Sequence, residues 1–195
     1  VNPETGTYYG STFPAITIGD MVAVQRRLVA HLGIKKLLAV IGGSMGGHQA
    51  LCWGTRHSEM VEGVVLLGTS PRLNSQSLAF DVVGRNAIYL DPDFNEGNYY
   101  DAARKPDVGL AIARMLGHIT YLSPQSMKEK FEATRDTPWD IDTVFEKEFS
   151  VGSYLAHQGQ KFTERFDANS YLLLSMAMDQ FDIGGSCDEL AASFA

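Results

Sequence analysis

A serine between glycines is the strongest chemical signal in this 195-residue sequence. Ser44 stands within residues 42–47, GGSMGG, and satisfies the pattern Gly-x-Ser-x-Gly. Where a strand turns sharply into a helix, this pattern holds the serine in a strained backbone conformation, and the glycines remove side chains that would clash. We therefore predict that Ser44 is a catalytic nucleophile whose hydroxyl projects at the carboxyl edge of a sheet. A purely structural glycine turn is the alternative.

The residue after Ser44 is placed to assist such a nucleophile. Met45 would open the following helix, where the first N–H groups lack intrahelical partners. An N–H there can donate to the negative oxygen that forms when an acyl group is attacked, and the helix dipole favours negative charge at that end. We therefore predict that the Met45 N–H is an oxyanion donor.

Two nucleotide-binding loops are excluded by the residues themselves. A dinucleotide-binding loop needs glycine at its first, third and sixth positions, and Ser44 stands at the third. A phosphate-binding P-loop needs Gly-Lys followed by Ser or Thr, but Gly47 is followed by His48. The motif therefore favours nucleophilic chemistry over phosphate binding.

A serine nucleophile also needs a base, usually histidine, and an orienting carboxylate. In the chain order typical of this turn, both follow the serine on later strands. None of the histidines follows a predicted strand, and His118 comes nearest to an exception; they are His31, His48, His57, His118 and His157. We therefore expect the acid and the base outside this sequence, which we interpret as the central part of a longer protein.

Helices and strands alternate around the motif. A helix is predicted from Ile18 to about Leu32, with Thr17 as its N-cap and Asp20 in its first turn, and Gly33 is a plausible stop. Short apolar runs predict strands at 37–41 and 61–67, both buried on two faces, with a helix at 45–57 between them. This order is typical of a parallel sheet covered by helices.

The remainder of the chain shows helical periodicity without a second strand–helix–strand unit. The predicted helices cover residues 77–89, 108–118, 123–134 and 169–181. We therefore predict a core segment at 1–70, which contains the nucleophile elbow (the strand-to-helix turn that carries Ser44), and a helical lid insertion at 71–182. Residues 183–195 are either the start of a return to the core or a diverged tail.

Composition excludes several classes of protein. Net charge is −7, from 16 basic and 23 acidic residues, so an electrostatic nucleic-acid binder is not expected. No apolar run approaches the ~18 residues of a membrane span. Cys52 and Cys187 provide neither a disulfide framework nor a metal-binding spacing, which favours reduced thiols in a cytoplasmic protein.

Longer segments resemble a known family, the homoserine O-acetyltransferases of the α/β-hydrolase superfamily. The resemblance covers NPETGTYYGSTFP (2–14), LLAVIGGSMGGHQAL (37–51), SQSLAF (75–80) with a later DP (91–92), ARMLGHITYLS (113–123) and KFTERFDANSYLLLSMAMDQFD (161–182). It implies an α/β-hydrolase fold with a helical lid, present here in part. It also implies transfer of an acetyl group from acetyl-CoA to the hydroxyl of L-homoserine through an acyl-serine, for methionine biosynthesis.

The resemblance also implies roles for individual residues. Ser44 would accept the acyl group, and Met45 would donate to the oxyanion. Arg114 would bind the amino-acid substrate with Tyr121 beside it, since a guanidinium recognises a carboxylate through two parallel hydrogen bonds. Without the resemblance, Arg114 would be interpreted as a surface residue and Tyr121 as core packing. The segment around Asp167 is interpreted as lid structure despite its carboxylate.

The family pattern leaves alternatives open. It implies acetyl-CoA as a substrate, no bound cofactor or metal, no nucleic-acid or membrane partner, and a homodimer formed through the lid. Members that use succinyl-CoA, acylate serine or hydrolyse esters belong to the same fold. A catalytically incomplete piece with only a structural or interaction role is the alternative from another class.

Overall fold

The computed structural model describes residues 1–131 and 150–194. The chain divides into two compact units. The core unit comprises Pro14–Leu78 and Leu173–Ala195, and the helical unit comprises Val1–Phe13 and Ala79–Leu172. The predicted division at residues 70 and 182 stays a prediction.

Two strands, eight α-helices and three short 3-10 helices form the regular structure of the described residues. The strands are β1 (Val40–Gly43) and β2 (Val64–Leu67). The helices are α1 (Ile18–His31), α2 (Met45–Arg56), α3 (Ser75–Tyr89), α4 (Asp107–Tyr121), α5 (Pro124–Lys130), α6 (Ser150–Thr163), α7 (Ala168–Asp179) and α8 (Cys187–Ser193).

Helix α1 begins and ends through local hydrogen bonds that its sequence indicates. The Thr17 hydroxyl accepts from the Asp20 N–H at 3.1 Å, and the Thr17 N–H donates to the Asp20 carboxylate at 2.8 Å. This reciprocal capping satisfies two N–H groups that a helix start leaves without partners. Gly33 follows the helix with a φ of 73°, which suits glycine. The predicted N-cap and stop are confirmed.

Strands β1 and β2 pair in parallel, with Val40 opposite Val64 and Gly43 opposite Leu67. Helix α2 connects them in sequence and packs on both. Both strands begin later than predicted, because upstream of the ladder only an isolated bridge joins Leu37 to Val61. Strand β1 extends into the glycines, because backbone pairing rather than side-chain hydrophobicity sets its end.

The expected burial of these strands on both faces is not met within this chain. Val40 packs against the buried cluster of the core unit, whereas Ile41 is 65% exposed. Successive residues of a strand point to opposite faces, so α2 covers the face of Val40 and leaves that of Ile41 open. On β2, Leu67 is likewise 56% exposed.

The core unit is held by one apolar cluster that joins α1, α2 and the end of α7. Its buried members are Ile18, Val22, Leu51, Cys52, Trp53, Ala177 and Phe181. The buried Trp53 indole N–H is satisfied by the partly buried Gln25 side chain, to which it donates at 2.9 Å. Val40 of β1 and Val61 pack against the same cluster, so it joins the helices to the sheet.

The helical unit has a second cluster, centred on Ile88, Tyr99, Leu110 and Phe162. Helices α4 and α6 approach closely at Gly159, where a Cβ would meet Met115 Cε at 3.0 Å. Helices α3, α4 and α7 confirm the predicted helices to within their ends. Helix α5 is also present, but it ends at Lys130 rather than continuing as predicted, and the predicted end at Thr134 lies outside the described residues. Helix α6 was not predicted, because two glycines and many polar residues weaken its pattern.

Asp167 is the N-cap of α7 and the centre of a hydrogen-bond network. Its carboxylate accepts from the hydroxyls of Tyr99 at 2.6 Å and Tyr100 at 3.0 Å, and from the Ser170 N–H at 2.8 Å. Burial, with Asp167 adding to it, raises the pKa of Tyr99, so this hydroxyl stays a donor. Tyr8 stacks on Tyr100 at 4.5 Å. These hydrogen bonds give the Asp167 carboxylate a structural role in the helical unit.

Replacing Asp167 by alanine is therefore expected to destabilise the protein. The substitution removes a helix cap and leaves the two tyrosine hydroxyls without this acceptor, which should lower the free energy of unfolding by about 1–3 kcal/mol. Urea unfolding of the full-length protein measures the change. Asp101→Ala, at an exposed site of the same unit, is the control and should have little effect. Equal stability of the two variants would contradict the structural role of Asp167.

Candidate active site

The turn at Ser44 is strained in the way that the motif predicts. Ser44 has a φ of 52° and a ψ of −122°, a conformation that L residues rarely adopt. Its N–H donates to the Leu67 carbonyl at 3.0 Å, which continues the ladder between β1 and β2 by one residue. The residue is exposed, and its side chain caps no helical N–H. Ser44 is therefore accessible at the carboxyl end of the sheet, directly before α2.

The chain approaches itself closely at Gly42 and at Gly47, and in both places only a residue without a side chain fits. A Cβ on Gly42 would overlap the Gly46 carbonyl and lie 2.7 Å from the Gly47 nitrogen. A Cβ on Gly47 would overlap Thr69. Gly46 differs, since a Cβ there would meet no atom of the described chain within 4 Å. The steric role predicted for both flanking glycines therefore applies to Gly42 and not to Gly46.

Gly42→Ala is expected to disrupt the turn. The added methyl group would meet backbone atoms, which cannot move aside as a flexible side chain can, so the free energy of unfolding should fall by about 3 kcal/mol. Urea unfolding and peptide mapping of the Ser44 region would measure the loss of stability and of the local structure.

Two neighbouring glycines are matched controls for this substitution. A Cβ on Gly43 would lie 3.6 Å from the Leu67 carbonyl oxygen, an ordinary contact, and Gly46 has open space. Alanine at either position should therefore change stability by less than about 1 kcal/mol. A Gly42→Ala protein as stable as these two would mean that the turn is looser than its geometry indicates.

Helix α2 begins directly at the nucleophile candidate. The Ser44 carbonyl accepts from the N–H groups of Gly47 at 2.8 Å and His48 at 3.3 Å. Met45 is the first helical residue, so its N–H has no carbonyl one turn before it to bind. A donor and the positive end of a helix dipole are thus adjacent to the Ser44 hydroxyl. This arrangement can stabilise an oxyanion.

The histidines of the core unit have packing roles in the structure. His48 is 2% exposed and stacks on Phe181 at 4.7 Å. Burial lowers the pKa of His48, although a hydrogen bond with the Ser70 backbone opposes this. His57 packs edge-on against Trp53, and His31 lies exposed in the last turn of α1. These positions favour structural roles, as the sequence indicates.

The two thiols differ sharply in accessibility. Cys52, on α2, is 1% exposed, and burial raises its pKa. Cys187 is exposed at the start of α8. A thiol reacts as the thiolate, so Cys52 is a poor nucleophile. The hydroxyl of Ser44 is therefore the accessible nucleophile candidate of α2 and its turn.

Arg114 and Tyr121 lie together in the helical unit. The Arg114 guanidinium carbon stands 4.8 Å from the centre of the Phe162 ring and 5.9 Å from that of Tyr121. Tyr121 is 70% exposed, so it is not a core residue. Burial and the Asp81 carboxylate raise the pKa of nearby Tyr171 to about 12, while Arg114 opposes the shift. Arg114 is therefore half-buried in an aromatic setting and is not a freely solvated surface residue.

The four predicted site residues thus form two local pairs. Ser44 and Met45 adjoin in the core unit, and Arg114 and Tyr121 adjoin in the helical unit.

Within residues 1–131 and 150–194, no group of three or more His, Cys, Asp or Glu side chains could hold a metal ion. Among the helices of this described part, none has the length and apolar character needed to cross a membrane.

Family comparison agrees with the strand–elbow–helix geometry. The sequence profile of the α/β hydrolase fold matches residues 3–191. The chain belongs to this family, which confirms the predicted fold class.

Relatives then place the chain more narrowly. It is 58% identical, over 97% of its length, to the bifunctional methionine biosynthesis protein MetXA/MetW of Rhodopirellula baltica, and it covers 30% of that protein. It is 50% identical over its whole length to the homoserine O-acetyltransferase of Solidesulfovibrio magneticus, covering 50% of it. A homoserine O-succinyltransferase of Magnetococcus marinus is 49% identical over 93% of the chain, which covers 48% of that protein.

These relatives confirm the resemblance to the homoserine O-acetyltransferase family. The chain spans half the length of these curated relatives or less. Solved structures agree. The homoserine O-acetyltransferase from Bacillus anthracis superposes with a TM-score of 0.87 at 25% identity, over 99% of this chain and 52% of that one. Esterase E22 superposes with a TM-score of 0.83 at 31% identity, over 99% and 53%.

Proposed function

We propose that the full-length protein transfers an acetyl group from acetyl-CoA to the hydroxyl of L-homoserine, a step of methionine biosynthesis. The observation that carries the proposal is the exposed Ser44 at a φ of 52°, directly before the N-terminus of α2. The names of the relatives supply the substrate class. We expect the acid and the base outside this sequence.

The reaction would proceed in two balanced steps. The Ser44 oxygen attacks the thioester carbonyl, its proton passes to the base, and the thiol of coenzyme A leaves with a proton. The homoserine hydroxyl then attacks the acyl-serine ester and gives its proton to the base, the bond to the Ser44 oxygen breaks, and the base returns a proton to that oxygen, which releases the O-acyl product and restores the Ser44 hydroxyl. In both steps the carbonyl oxygen becomes negative, and the Met45 N–H would stabilise it.

Recognition of the acceptor is assigned to the helical unit. Arg114 would bind the carboxylate of homoserine, and Tyr121 would line the same site. Both residues belong to the proposed lid at residues 71–182. The aromatic rings around Arg114 limit its solvation, which strengthens a bond between a guanidinium and a carboxylate. We further propose a cytoplasmic homodimer formed through the helical lid, with no bound cofactor and no nucleic-acid partner.

A short pulse of acetyl-CoA tests the proposal. We expect the full-length protein to gain one acetyl group on the peptide that contains Ser44, as measured by mass spectrometry after rapid quenching. Addition of homoserine should discharge the acetyl group. A protein that never acquires an acyl group at Ser44 would support the catalytically incomplete alternative.

Two further activities have specific support. A relative is named a homoserine O-succinyltransferase, and a structural neighbour is an esterase. A parallel pulse with succinyl-CoA identifies the preferred donor from the mass gained at Ser44. The rate at which the acyl group leaves with homoserine, with serine or with water alone then separates the transferases from an esterase.

A further inference from the structure

Two nitrogen atoms on α4 are buried without a hydrogen-bond partner among the described residues. They are Nε of Arg114 and Nε2 of His118. Residues four apart on a helix lie on the same face, one turn from each other. A buried polar group without a partner is costly, and such groups are rare in folded proteins. Two on one helix face therefore call for a ligand group that would satisfy both.

The other ring nitrogen of His118 indicates which partner Nε2 needs. Nδ1 of His118 lies 2.8 Å from the hydroxyl of Tyr154, on α6. With the Tyr154 hydroxyl as the donor to Nδ1, the proton of the neutral ring resides on Nε2. Burial lowers the pKa of His118, and the positive charge of Arg114 adds to this, which keeps the ring neutral. In this tautomer Nε2–H is a donor.

The Tyr121 ring packs beside both Arg114 and His118. Its ring centre is 6.1 Å from that of His118 and 5.9 Å from the Arg114 guanidinium carbon. The ring folds back along α4 over Gly117, where a Cβ would lie 3.3 Å from the Tyr121 hydroxyl. The exposed Tyr121 side chain therefore lies beside both Arg114 and His118, and the glycine at position 117 leaves room for its ring.

We propose that His118 Nε2–H is a second donor to the carboxylate of the amino-acid acceptor, beside Arg114. The inference rests on the proposed function for the identity of that acceptor. Two N–H donors with one positive charge match an anion, whereas the ammonium group of the acceptor would be repelled by Arg114. His118 is then a residue that determines specificity, with Tyr154 holding its ring.

Binding of two acceptors that differ only in the carboxylate tests the assignment. L-homoserine and 3-aminopropan-1-ol share the hydroxyl and the amine. Isothermal titration is done on the full-length protein without any acyl-CoA, so that no turnover occurs. His118→Asn keeps a polar group near Nδ1 but loses the distal donor, and we expect homoserine to bind about tenfold more weakly or worse. His118→Gln, which retains a distal amide, should recover part of the loss, and 3-aminopropan-1-ol should bind all three proteins equally.

A second measurement avoids substitution at the site. In protein labelled with ¹⁵N-histidine, the Nε2–H resonance of His118 should shift with homoserine and not with 3-aminopropan-1-ol; its absence in His118→Gln assigns it. Equal losses for both compounds, or no loss and no shift, would overturn the proposal. The acyl pulse at Ser44 is independent of this result, so failure of the proposed reaction and failure of the His118 assignment are distinguished.

Discussion

Ser44→Ala is expected to abolish acyl-enzyme formation and to lower turnover by on the order of 10⁶-fold, as loss of a serine nucleophile does. The oxyanion donor and the substrate sites survive in this variant, but no atom remains at residue 44 to carry the acyl group. Rapid-quench mass spectrometry with acetyl-CoA measures the covalent step, and steady-state transfer to homoserine measures the whole reaction. Circular dichroism should show an intact fold.

Ser58→Ala is a matched control, since Ser58 is also exposed, in the short turn before β2. It should acylate and turn over at the rate of the unaltered protein. Acetylation that persists in Ser44→Ala, or that maps to Cys52, would remove Ser44 from the mechanism. The burial and raised pKa of Cys52 argue against that outcome.

Arg114→Ala is expected to impair only the half-reaction with the acceptor. Losing a charge-assisted contact to the buried carboxylate should cost about 2–5 kcal/mol, a decrease of roughly 30- to several thousand-fold in transfer to homoserine. Acylation of Ser44 by acetyl-CoA should proceed normally, because the thioester carries no carboxylate for Arg114 to bind at the reacting end. Single-turnover acylation and transfer, measured separately in the full-length protein, check this.

Two variants sharpen the test. Arg114→Lys should recover part of the transfer rate, since it keeps the charge but loses the planar donor pair. Arg165 also lies over the Phe162 ring, at 5.7 Å, but is exposed, so Arg165→Ala controls for loss of a cation on that ring. Equal damage to both half-reactions in Arg114→Ala would indicate a structural role. No effect on either would mean that Arg114 does not contact the substrate.

The turn at Ser44 was predictable because its causes are local. A strand, a fixed glycine spacing and a helix start follow one another within ten residues, and each has a strong sequence preference. The role of Gly47 was not predictable, since it depends on Thr69, which approaches it only after the chain has passed through α2 and β2. The length of β1 depends likewise on its partner strand rather than on its own apolar run.

The surroundings of Arg114 were accessible from the sequence only through resemblance. Amphipathic spacing on α4 predicts a solvated arginine, because nothing local indicates that Phe162, on a helix that was not predicted, covers it. The sequence gives His118 no support as a base, but its spacing of four residues from Arg114 indicates that the two share a helix face. The partner of its ring, Tyr154, is far away in sequence and could not be identified from it.

The backbone strain at Ser44 sets stability and chemistry against each other. A non-glycine residue with a φ of 52° typically costs about 1–3 kcal/mol, which the contacts to Leu67 and the close approach of Gly42 to Gly46 must offset. Glycine at this position would relieve the strain and remove the hydroxyl in a single substitution. A gene copy released from its catalytic duty would therefore gain stability by that change. The identity of residue 44 in a lineage thus reports whether selection still acts on the reaction.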